Sequence, residues 1–143
     1  MTSTDKIKYS IKLNNLEENE KKSLSLLLHN RIQEIKNEEE DFKINKLKEP
    51  QIYLNTLSEL YKKSSSFLEP KTPVKEALFR LFVFNGNKPL TLKQINKNLT
   101  EHWEMSQFPR DISIEKLSSL IQNVSDYYIQ PYGRKFSKSS LPF

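Results

Sequence analysis

Not one of the 143 residues is cysteine, which removes disulfide bridges, thiolate metal ligands and thiol nucleophiles. That absence fits the cytoplasm or another reducing intracellular compartment, where the chain is expected to reside. Glycine occurs twice, at Gly86 and Gly133, so no glycine-rich loop is available to cradle a phosphate. Long apolar runs are missing too. The longest, Leu81–Phe84, falls far short of the ~18 residues needed to span a bilayer. Met1–Lys12 alternates charges with apolar residues and lacks the continuous apolar core of a signal peptide, so no membrane partner is expected. Only two histidines occur, His29 and His102, and neither has partners at metal-site spacing. Four aspartates are present, none paired for general acid–base work, and H-E-x-x-H and G-x-S-x-G do not occur. No catalytic residue, metal or cofactor is therefore expected, and the chain reads as non-enzymatic.

What remains is a basic, polar sequence with clustered apolar positions. Hydrophobic residues make up 36% and the formal net charge is +5. Residues 1–70 carry 12 basic and 12 acidic side chains, whereas residues 71–143 carry 11 basic and 6 acidic. A basic half beside a neutral half suits a polyanionic partner, because such fields raise encounter rates with phosphate. The skew also has a compositional explanation. Lys outnumbers Arg 19 to 4, Asn is abundant and Ala77 is the sole alanine, a pattern that an A/T-rich genome produces.

The element order follows from periodicity. Residues 6–13 alternate strictly, with Ile7, Tyr9, Ile11 and Leu13 on one face and Lys6, Lys8, Ser10 and Lys12 on the other. This predicts a half-buried strand, and the lysines suit an edge. Asn14 or Asn15 is the expected N-cap of a long helix, with Glu17, Glu18 and Glu20 complementing its dipole. Its apolar stripe runs Leu24, Leu27, Leu28, Ile32, Ile35, thins through a solvated Glu38–Asp41 and returns weakly to an end near Lys48. Pro50 opens a second helix lined by Tyr53, Leu57, Leu60 and Tyr61. Ser64–Ser66 and Pro70–Pro73 mark a linker between an N-terminal part, residues 1–66, and a C-terminal module, residues 74–134, ahead of a disordered tail over 135–143.

Thr72 and Pro73 are expected to start a helix over Val74–Phe84 that is apolar nearly all round, with only Lys75, Glu76 and Arg80 polar. Such a helix must be covered on more than one side. It either sits between the two halves of one shared core, or presents Phe79 and Val83 to a protein partner or a second copy in a homo-oligomer. Asn85-Gly86-Asn87 is a turn, with Gly86 supplying a positive φ. Thr91 and Gln94 form a capping box for a helix with Leu92, Ile95, Leu99 and Trp103 inward. After a loop over Met105–Asp111, Ser113 caps a third helix with Ile114, Leu117, Leu120, Ile121 and Val124 inward, and a strand follows over Asp126–Tyr132. The fold class is mainly α with a few short β-strands.

The order helix, extended link, capped helix, loop, helix, strand across residues 72–132 resembles a winged helix-turn-helix. It departs from that pattern in its long loop containing Pro109 and in having one strand where a wing has a two-stranded hairpin. The strand at Ile7–Leu13 is placed to complete the sheet instead. The resemblance implies nucleic-acid binding, as in a transcriptional regulator, with the third helix in the major groove. On that helix Glu115, Ser118, Ser119, Gln122 and Asn123 project outward and Lys116 flanks the face, while Lys93, Arg110, Lys116, Arg134 and Lys135 are the candidate contacts to a nucleic acid. The alternative is a protein-interaction or assembly factor that uses the same module.

Overall fold

The computed structural model describes residues 6–36, 47–64, 68–69, 71–104 and 112–132. The elements run β1 (Lys8–Ile11), α1 (Glu18–Lys36), α2 (Pro50–Lys62), α3 (Val74–Phe84), β2 (Leu90–Thr91), α4 (Leu92–Glu104), α5 (Ile114–Ile121), a 3-10 turn (Ser125–Tyr127) and β3 (Ile129–Pro131). The protein is mainly helical, with one small antiparallel sheet.

The sheet joins the two ends of the described chain. Its order is β2-β1-β3, with Lys8 opposite Thr91 and Tyr9 opposite Leu90 on one side. On the other side Tyr9, Ser10 and Ile11 pair with Pro131, Gln130 and Ile129. The N-terminal strand is thus central, not the edge strand its lysines suggest. Alternation records only which side chains point inward. It is blind to flanking strands of two and three residues that lie far away in sequence. The final strand is also shorter than Asp126–Tyr132: Ser125–Tyr127 coils, Tyr128 adopts φ 63°, and only Ile129–Pro131 is extended.

Asn87 closes the gap left by the brevity of β2. Its carboxamide accepts from the Ile11 N–H at 2.8 Å and donates to the Ile11 carbonyl at 2.9 Å, standing in for a backbone neighbour. The turn that aims it has Gly86 at φ 75° and Asn87 at φ 63°, conformations that Gly and Asn tolerate best. The turn role of Asn85-Gly86-Asn87 is as expected, and the side-chain bridge is an addition to it.

The helix starts differ in detail from expectation. Glu17 precedes α1 and donates its N–H to the Glu20 carboxylate at 2.9 Å, while Asn15 turns left-handed at φ 59°; neither Asn14 nor Asn15 is the cap. The helix α3 spans Val74–Phe84 as expected, but Pro73 stands at its N-cap in place of Thr72 and no side chain caps it. Thr91 and Gln94 do form the reciprocal capping box, at 2.9 and 3.2 Å, and Ser113 accepts from the Lys116 N–H at 3.2 Å. The thinning stripe over residues 37–46, residues 65–67 and 70 of the proposed linker, the Met105–Asp111 loop and the tail lie outside the described residues.

A single apolar cluster draws on β1, α1, α2, α3, α4, α5 and β3. Ala77, Leu78, Phe79, Phe82 and Val83 of α3 are all fully buried at its centre. Phe79 and Val83 are therefore internal, and the chain itself covers the face expected to meet a partner. Leu92, Ile95, Leu99 and Trp103 face inward as expected, as do Leu117, Ile121 and Val124. Ile35 and Ile114 do not: they are 40% and 41% exposed, at the rim of their stripes. Along α2, Leu54 and Ser58 join Leu57 and Tyr61 inside.

Candidate functional site

One polar cluster lies within the apolar frame. Glu76, on α3, receives Arg31 of α1 through two bonds of 2.8 and 2.6 Å, Arg80 one turn along its own helix at 2.8 Å, and the Tyr127 hydroxyl at 3.0 Å. The Arg31 guanidinium also stacks 5.1 Å over Phe79 and 6.0 Å from the Tyr127 ring centre, and donates to the Leu27 carbonyl. Burial alone would raise the Glu76 pKa. The two arginines and the tyrosine more than offset it and hold the carboxyl near 2. Burial pushes Tyr61, close by, up to about 12, and raises Tyr127 with help from Glu76. Burial tends to neutralise Arg31, yet its bond to Glu76 prevails and its pKa is raised. Every group here is locked to another, so the cluster clamps α1, α3 and the 3-10 turn together. Sequence reasoning missed it, although three polar residues on an otherwise apolar helix were its trace.

The expected recognition surface lies elsewhere. Leu117, Ile121 and Val124 anchor α5, leaving Glu115, Lys116, Ser119, Gln122 and Asn123 exposed. Among the described residues, no hydrogen bond or ion pair engages the side chains of Lys116, Ser119 or Gln122, whereas the Asn123 amide donates to the Ser119 carbonyl at 3.2 Å. Lys93 and Lys97 are exposed on α4, which the Asn96 amide ties to the start of α5 by donating to the Ile112 carbonyl. Arg110, Arg134 and Lys135 fall outside the described residues. The fold thus places Lys93 and Lys116 on adjoining helices and exposes both.

The two histidines are packed against aromatic rings. His29 lies 5.3 Å from the Tyr53 ring, and His102 meets Phe84 edge-on at 5.6 Å. Burial lowers the His102 pKa against the opposing effect of Glu101. Among the described residues no three His, Asp or Glu side chains gather as a metal site requires, and no helix is long and apolar enough to cross a membrane.

A second polar surface arises from the sheet. Strand register puts Lys8 opposite both Thr91 and, through the bond from the Tyr132 N–H to the Lys8 carbonyl at 2.8 Å, Tyr132. Ser10 stands opposite Gln130 on the same face. The sequence concealed this surface because Lys8 and Ser10 lie more than a hundred residues from Tyr132 and Gln130.

Comparison with protein-family models, with characterised proteins and with solved structures returned no match.

Proposed function

We propose that this chain is a non-enzymatic, nucleic-acid-associated binding protein of winged-helix type, acting as a transcriptional regulator through the exposed face of α5. The observation that carries the proposal is the state of that face. Lys116 and Ser119 stand exposed on a capped helix with Gln122 at its C-cap, and among the described residues no hydrogen bond or ion pair engages the side chain of any of the three. Ser and Gln both donate to and accept from base edges, and Lys adds a phosphate contact. Supporting the winged-helix resemblance, β3 follows α5 and pairs antiparallel with β1, which stands where a hairpin wing has its second strand. The basic excess of the C-terminal half suits a polyanionic partner. The protein-binding alternative loses its proposed surface, since Phe79 and Val83 are buried.

Fluorescence anisotropy with a labelled DNA duplex at low salt tests the proposal. Lys116→Glu and Gln122→Ala are expected to weaken binding, by about 1–3 kcal/mol for a side chain that reads a base. Arg134→Glu with Lys135→Glu is expected to weaken it on every sequence alike, as removal of phosphate-neutralising cations does. Wild-type affinity in all these variants would remove α5 and the tail from the site.

A further inference from the structure

The face of the sheet turned away from α3 combines cations with an aromatic ring. On β1 the alternation sends Tyr9 and Ile11 into the core, so Lys8, Ser10 and Lys12 lie on the opposite face, where Lys8 is exposed, Lys12 half-buried and Ser10 covered. On β3, Ile129 is 4% exposed and Gln130 is exposed beside Ser10. Tyr132, directly across from Lys8, is 58% exposed, a large share for a tyrosine. Among the described residues, no hydrogen bond or ion pair engages the Lys8, Lys12 or Gln130 side chains or the Tyr132 hydroxyl.

A depression of about 380 Å³ opens on this face, with Ser10 in its lining and Lys12, Asn14, Gln130 and Tyr132 around it. Its whole lining contains a lysine and no carboxylate. Carboxamides there can pair with either donors or acceptors. We infer that this face binds single-stranded nucleic acid, with Tyr132 stacking on an unpaired base, Lys8 and Lys12 on the flanking phosphates, and the exposed Gln130 carboxamide meeting a base edge. Charge complementarity selects a polyanion. The exposed ring selects an unpaired base, because bases within a duplex are already stacked on one another. Bases stacking on a sheet's aromatic residue while basic residues track the backbone is a general solution for single strands. This surface is separate from α5, and its occupancy does not depend on duplex binding there.

The test uses the full chain and fluorescein-labelled oligo(dT) and oligo(U) twelve-mers, read by anisotropy over a salt series. Tyr132→Ala is expected to weaken binding roughly 5- to 150-fold, and Tyr132→Phe to restore it, since stacking needs the ring and not the hydroxyl. Lys8→Gln with Lys12→Gln should flatten the dependence of log affinity on log salt by about 0.7 for each phosphate that is no longer neutralised. Lys116→Glu should leave oligo binding unchanged, which separates failure of this proposal from failure of the α5 reading. The fluorescence of buried Trp103 reports that each variant is folded. Absence of oligonucleotide binding at low salt, or full affinity in Tyr132→Ala, would overturn the inference. A partner that adds as a peptide strand along β3 in place of nucleic acid would leave oligonucleotide binding absent, and so overturns it as well.

Discussion

Replacing Glu76 by Gln removes the charge that two arginines share while keeping the side-chain shape. The side chains of Arg31, Glu76 and Arg80 are 15%, 11% and 25% exposed, so their interaction is only weakly screened by water. Breaking a buried ion pair by removing one partner costs about 3–5 kcal/mol, a large share of the ~5–15 kcal/mol that holds an ordinary domain together. The pKa supplies an independent magnitude. Glu76 titrates near 2 in the folded chain against an ordinary 4.5, and the gap is worth about 3 kcal/mol at ~1.4 kcal/mol per unit. Because the folded value is depressed, this stabilisation is complete above pH 4.5 and is lost as the pH falls through 2. Urea unfolding followed by Trp103 fluorescence, over a series of pH values, reads both numbers. Wild type is expected to exceed Glu76→Gln by about 3 kcal/mol near neutrality, with the difference shrinking steadily toward pH 2. The other carboxylates titrate in both proteins and cancel. A difference that stays constant on acidification, or is below ~1 kcal/mol at neutrality, would refute the clamp.

Asn87→Gly removes the side-chain bridge to Ile11 without straining a left-handed backbone, and should cost about 1–3 kcal/mol for the groups left unpaired. Hydrogen exchange at the Ile11 amide should accelerate in that variant, and unchanged protection would show that another acceptor serves. Phe79→Asp places a charge in the centre of the core and should abolish cooperative unfolding. A folded, cooperative Phe79→Asp protein would return that residue to the surface. Ser113→Ala should lower stability by about 1 kcal/mol in the same urea assay through loss of the α5 cap, and no change would mean that the cap bond is unimportant.

What the sequence made legible was what local chemistry determines. The Thr91–Gln94 capping box, the Ser113 cap, Pro50 at the start of α2 and the inward stripe of Leu92, Ile95, Leu99 and Trp103 each depend on residues within a few positions of one another. The turn at Gly86 belongs to the same class. Pairings set by the whole fold were not legible. Nothing near Lys8 announces that Thr91 and Tyr132 will flank it, so a central strand read as an edge. Nothing near Glu76 announces Arg31 or Tyr127, which lie 45 and 51 residues away. The apolar breadth of α3 was readable, but whether a partner or the chain itself would cover Phe79 and Val83 was a tertiary question. For the candidate surface, the outward direction of Ser119 and Gln122 followed from helical projection, and their exposure agrees with it; Lys116, placed only at the flank of that face, is exposed as well. The sheet face formed by Lys8, Ser10, Gln130 and Tyr132 needed the strand register.

The salt dependence of duplex affinity, compared between the wild-type chain and Lys116→Glu, addresses nucleic-acid binding through α5 most directly. Each phosphate neutralised on a duplex contributes about −0.9 to the slope of log affinity against log salt. The wild-type chain is expected to bind at low salt with a steep negative slope, and Lys116→Glu to bind more weakly with a slope shallower by about one. No binding at low salt, or an affinity indifferent to salt and to the Lys116 substitution, would contradict it.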